Sequence, residues 1–240
     1  DALAVRQETR PDQLASALFV PDLSLGRLVE TPTEISKVIA TFISQDGLLD
    51  LDAITGPNAH KVLVTGYDFL TDMAKQVRTR WKSALGVSTP DNSLVPVDAS
   101  LIGGQWNLGS VSARASELRT HLSGNGGARY GISALGGHAS HFEEGVPGTN
   151  PFDIAGLNVR DIYGPDLCAS PGQGGLDLSG GVVYSVGCHG GLAVPGSCAA
   201  AAGLDARTLD LPQTMLSRGV VAYVANSGFA WGLKHGVGYV

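Results

Sequence analysis

Four short apolar runs constrain this chain more than any other feature: VLV at 62–64, RYGISAL at 129–135, VVYSV at 182–186 and GVVAYVAN at 219–226. Each is bounded by glycine or polar turn residues and has the length of a strand. Runs this rich in β-branched and aromatic residues suit strands covered on both faces, the environment of a parallel sheet. The segments between them carry helical periodicity. Ile35, Val38, Ile39 and Phe42 recur at helical spacing over 33–45, behind a threonine cap at Thr31 or Thr33. Phe69, Leu70, Met73, Val77 and Trp81 do the same after the first strand, and GSVSARASELRTHL at 109–122 and LPQTMLSR at 211–218 read as two further helices. Strands separated by helices or long crossovers specify an α/β fold with a mainly parallel sheet. LASALFV at 14–20 is a further candidate strand, whereas 139–181, rich in Gly, Pro, Asp and Asn, reads as a long loop of the kind usually kept for function.

Size and charge narrow the function classes. With 240 residues the chain builds one full hydrophobic core, and 43% hydrophobic against 16% charged residues is a globular balance. A net charge of −6 with no basic run gives no electrostatic footprint for nucleic acid or an anionic membrane. No apolar stretch reaches the roughly 18 residues of a spanning helix, and the start DALAVRQETR lacks the pattern of a signal peptide. The three cysteines, Cys168, Cys188 and Cys198, cannot all pair with one another. Cys168 and Cys198 are either a disulfide, which leaves Cys188 as the thiol, or two ordinary core residues.

In an open parallel sheet, ligands bind beyond the carboxyl ends of the strands. RYGISAL runs into Gly136-Gly137-His138-Ala139-Ser140, and VVYSV into Gly187-Cys188-His189-Gly190-Gly191. A thiol must become a thiolate to attack a carbonyl, and an imidazole on the same sheet edge supplies the base. Cys188 and His138 fit that pair. His141 is the rival base, and His189, adjoining the cysteine, is expected at the pocket edge. A metal reading that gathers His138, His141, Cys188 and Cys198 lacks paired-ligand spacing. An α/β-hydrolase elbow is excluded because Val186 stands where it needs glycine.

A strand followed by GHAS, then a strand followed by GCHGG, resembles the caspase-like (clan CD) cysteine peptidases. Within these the chain is most similar to the gingipain family, through PDLSLGRLVETPTEISKVIATFI, VLVTGYDF and VVAYVANSGFAWG. The resemblance implies a three-layer α/β/α sandwich and hydrolysis of protein or peptide substrates. It makes Cys188 the nucleophile, His138 the acid/base, and the N–H groups of Cys188 and Ala139 the oxyanion hole. Trp231 becomes a wall of the pocket for the residue before the scissile bond. Asp68 becomes the acidic group at its base, with Asp72, Glu143, Glu144 and Asp153 as competitors, which would favour Arg or Lys in the substrate. No cofactor is required for this chemistry, and a structural calcium ion is left open. The family's glycine after the histidine is Ala139 here, tolerable only with a negative φ.

The resemblance further implies an extracellular or cell-surface setting within a longer polypeptide. Residues 1–240 then form one peptidase domain, with 1–30 as the tail of a preceding subdomain and relatives continuing past GVGYV. Two alternatives stay open: a non-catalytic binding or assembly module that keeps the fold, and a domain that cleaves only its own chain.

Overall fold

The β-forming runs become strands because their two parities bury against different helices. In the computed structural model, which describes residues 5–6, 20–21, 32–44, 46, 61–84, 97–98, 100–103, 106, 108–123, 130–148, 156–164, 175–194 and 209–229, the elements follow one another as strands and helices. β1 (Val5–Arg6) pairs antiparallel with β2 (Val20–Pro21), and α1 spans Pro32–Ser44. Then come β3 (Lys61–Val64), a 3₁₀ turn (Asp68–Leu70), α2 (Thr71–Ala84), β4 (Val97–Asp98), α3 (Val111–Leu122) and β5 (Tyr130–Leu135). β6 (Ala139–Ser140), β7 (Glu143–Glu144), β8 (Leu157–Asn158) and α4 (Val159–Tyr163) precede β9 (Val182–Ser185), α5 (Leu211–Ser217) and β10 (Ala222–Ala225).

The main sheet has the order β10-β9-β5-β3-β4, and every pairing in it is parallel. Numbered along the chain, its strands run 2-1-3-4-5, so the order reverses between β3 and β5. Such a reversal opens a crevice at the carboxyl ends of the two strands that flank it. Val62 and Val64 pack with Ala74, Val77 and Trp81 of α2 on one face. Leu63, Leu135 and Val183 belong to the larger core, with Leu118 and Leu122 of α3, Ile162 of α4, and Leu211 and Met215 of α5. Each leucine fully withdrawn from water there contributes about 1.5–3 kcal/mol.

Capping sets the helix starts. The Ser110 hydroxyl accepts the Ala113 N–H at 3.2 Å, and the Asp210 carboxylate accepts the Gln213 N–H at 2.8 Å. Asn158 and Asp161 form a reciprocal capping box at α4.

The strands and helices expected from the four runs and the helical segments are found, with ends shifted by one to three residues. The expected long loop is not what 139–181 forms. Its described part holds the antiparallel sheet β6-β7-β8, the helix α4 and the start of the approach to β9. Two-residue strands are too short to show a period, and Glu143 and Glu144, competitors for the acidic group at the base of a pocket, are both buried. β4 escaped notice for the same reason of length. Of LASALFV only Val20 falls among the described residues. Among those residues no helix is long and apolar enough to cross a membrane.

Candidate active site

Register brings the two strand-end segments to one height. Leu135 of β5 and Ser185 of β9 are direct partners, and the ladder continues for one residue as the Val186 N–H donates to the Leu135 carbonyl at 3.1 Å. His138 and Cys188 each lie three residues past that pair on the same edge of a parallel sheet. The segments then touch: a Cβ on Gly187 would collide with the Cβ of Ala139 and sit 2.6 Å from its backbone nitrogen. Only glycine allows that approach, so the residue before Cys188 is dictated by the residue after His138.

Tyr67, just past β3, fixes the histidine side. Its hydroxyl accepts the His138 N–H at 2.9 Å, and its ring stands edge-on to the imidazole with centroids 6.2 Å apart. Phe69 lies 5.9 Å from the imidazole on a second side. Gly137 is glycine because a Cβ there would be 2.7 Å from Tyr67 Cε1 and 3.0 Å from the Gly145 carbonyl oxygen. The Gly145 N–H donates to the His138 carbonyl at 2.7 Å. The Ala139–Glu144 pair of β6 and β7 is therefore of the non-hydrogen-bonded kind, which directs the Ala139 N–H away from β7, towards Gly187. Ala139 is extended and not among the residues with positive φ, so its methyl group is no obstacle where the resembling family has glycine.

Backbone bonds to the segment after β10 anchor the cysteine turn. The His189 N–H donates to the Gly228 carbonyl and the Gly191 N–H to the Asn226 carbonyl, both at 2.8 Å. The Asn226 side-chain amide donates to the carbonyls of Val186 and Gly187 at 3.3 and 3.4 Å. Cys188 is half-buried and is a thiol, with no disulfide. His189 is in the left-handed region at φ 58°, its ring 4.6 Å from that of the exposed Phe229, and its buried Nδ1 has no hydrogen-bond partner. The rival His141 packs against Phe142. Burial, then the nearby His189, lowers its pKa, which keeps it neutral.

Beneath the turn lies a buried polar floor. Glu144 is 1% exposed. Burial raises its carboxyl to about 8, an effect that the Ser185 and Tyr223 hydroxyls oppose and Glu143 reinforces. Those hydroxyls approach it, yet Glu144 Oε1 and Ser185 Oγ make no hydrogen bond of proper geometry, so burial dominates. The Tyr223 hydroxyl donates to the Gly190 carbonyl at 3.0 Å.

The candidate acids separate by environment. Asp68 is exposed, at φ 50°, on the rim of the β3 crevice next to Phe69; it does not form a buried pocket floor. Asp72 is exposed and 3.6 Å from Lys75. Glu143 is buried and accepts the Gly156 N–H at 2.7 Å. Trp231, Asp153, Cys168 and Cys198 lie outside the described residues. Among the described residues no group of three or more His, Cys, Asp or Glu could hold a metal ion. Sequence reasoning singled out the strand-end segment that begins at Asn226 and missed Tyr67, Ser185 and Tyr223. Tyr67 and Ser185 are signalled only by position, just past or at the carboxyl end of a strand, and Tyr223 lies inside β10 with no such signal. Compared with protein-family models, curated proteins and solved structures, the chain matches none.

Proposed function

We propose that this chain is a cysteine endopeptidase of caspase-like, three-layer α/β/α architecture, similar to the gingipains. The observation that carries the proposal is the approach of Gly187 to Ala139, which sets the Cys188 turn against the segment that starts at His138. The Cys188 thiolate attacks the peptide carbonyl, and the carbonyl electrons move to an oxygen held by the N–H groups of Cys188 and Ala139. His138 passes its proton to the leaving amine as the C–N bond breaks. Water, deprotonated by His138, then cleaves the thioester and releases the carboxylate and the thiol.

Asp68 on the rim attracts an Arg or Lys side chain of the substrate, with the His189–Phe229 pair as a pocket wall beside the nucleophile. Substrates are proteins or peptides, met in an extracellular or cell-surface setting by a chain that belongs to a longer polypeptide.

Acyloxymethyl ketones test this directly, because a thiolate displaces their carboxylate and forms a thioether. Fluorescent reagents with Arg, Lys, Asp or Asn at the recognition position are incubated with the protein, and the adduct is mapped by mass spectrometry. The expected result is labelling at Cys188, strongest with Arg or Lys and lost in His138→Ala. Absence of labelling by all four reagents on folded protein would reassign the chain as a non-catalytic module of the same fold.

A further inference from the structure

One residue clasps the turn that carries Cys188 at both of its ends. The Asn226 carbonyl accepts the Gly191 N–H at 2.8 Å, and the Asn226 side-chain amide donates to the Val186 and Gly187 carbonyls at 3.3 and 3.4 Å. Carbonyl oxygens only accept, so the group that faces these two must donate twice, which an amide NH2 does and a carboxylate cannot. The far end of the turn is held equally close: a Cβ on Gly191 would lie 2.6 Å from the Ala225 carbonyl oxygen. Resting on the assignment of Cys188 as nucleophile, we propose that Asn226 is a positioning residue of the oxyanion hole, whose amide turns the peptide between Gly187 and Cys188 so that the Cys188 N–H faces the oxygen of the attacked carbonyl.

Peptide geometry gives the mechanism. β9 lies between β5 and β10, and the Val186 N–H still donates towards β5, to the Leu135 carbonyl at 3.1 Å. In a regular strand the Val186 carbonyl would point to that same neighbour. It turns instead to Asn226, just past β10, and the Gly187 carbonyl does the same. The C=O and N–H of a trans peptide unit point in opposite directions, so the N–H groups of Gly187 and Cys188 both face away from Asn226. On that side Gly187 meets the backbone nitrogen of Ala139, in the segment that follows β5. Consecutive N–H groups aimed one way form a concavity that holds negative charge. The hydrogen bond to the Gly187 carbonyl also polarises the peptide unit and strengthens the Cys188 N–H as a donor. Gly187 has no Cβ to restrict the rotation of its peptide, and the Asn226 amide supplies that restriction.

Two reactions of Cys188 test this role, because only one of them develops an oxyanion. In peptide hydrolysis the electron pair of the attacked carbonyl moves onto its oxygen. In alkylation by iodoacetamide the thiolate sulfur forms a bond to the methylene carbon as iodide leaves, and no oxyanion forms. Asn226→Ala is expected to lower kcat roughly 10- to 100-fold, less than the loss of a whole oxyanion donor, with KM and the alkylation rate within about two-fold of wild type. Asn226→Ser keeps one donor and should lose less; it carries the comparison if the alanine variant does not fold. An unchanged kcat, or an alkylation rate that falls together with kcat, overturns the role of Asn226 and leaves the peptidase assignment standing. A wild type that is alkylated at Cys188 but hydrolyses no peptide overturns the peptidase assignment, and the role of Asn226 falls with it.

Discussion

At the scale of single residues, the candidate site depends on close approaches that a methyl group destroys. Gly187 lies against Ala139 with no room for a side chain. Gly187→Ala must push the Cys188 turn outward, and a displacement of that order at a reacting centre costs about 100-fold in rate. Hydrolysis of a peptide substrate by the folded variant checks this; an undiminished kcat/KM would show that the approach of the two segments is not what aligns them. Tyr67 acts on the other side. Tyr67→Phe keeps the ring edge against the imidazole but removes the acceptor of the part-buried His138 N–H, at a cost of about 1 kcal/mol in stability. Urea unfolding gives the stability loss, and a kcat that falls with an unchanged KM would place the effect on the position of His138.

At the scale of elements, the turns past β5 and β9 are held by partners far away in sequence. Asp210 is the clearest case. Its carboxylate caps α5 through the Gln213 N–H and also accepts the Val194 N–H at 2.8 Å, which ties the segment after the Cys188 turn to the helix. Asp210→Ala is expected to cost about 1–2 kcal/mol of stability for the cap, with Asp210→Asn recovering only part of the loss, because its single amide oxygen accepts one of the two N–H groups that Oδ1 and Oδ2 accept and its NH2 group faces the other. Thermal unfolding of the two variants decides. The helices and the longer strands were legible in the sequence because periodicity is a local property. β6, β7 and β8 were not, since a two-residue strand has no period and only its pairing partners define it.

At the scale of the whole molecule, one sheet supplies both the core and the site. Leu135 lies in the main core three residues before His138, so Leu135→Ala should cost about 2–5 kcal/mol and disturb the site with it. Chemical denaturation measures the first effect, and a parallel loss of Cys188 labelling the second. Glu144 gives the fold a pH dependence of definite sign. Its carboxyl sits at about 8 in the folded protein against 4.5 for a solvated glutamate, so between those values the unfolded chain has released a proton that the native protein retains. The native state binds more protons there, and stability falls as pH rises, by about 1.4 kcal/mol per unit from this group alone. Below 4.5 and above about 8 the contribution is flat. Denaturation across that range should show the slope in the wild type and its reduction in Glu144→Gln.

The sequence by itself determined the α/β class, the parallel strands and the edge on which Cys188 and His138 emerge. Apolar runs and glycine breaks are local, and a parallel sheet sends every strand's carboxyl end the same way. Tertiary structure alone decided what meets there. Tyr67 reaches His138 across 71 positions and Asn226 clamps Val186 across 40, distances over which no pattern in the chain links donor to acceptor. It also decided that Ala139 is extended and that Glu144 lies in the interior. A residue's backbone region and its exposure are set by the elements packed around it, here β7, β9 and β10 closing under one turn.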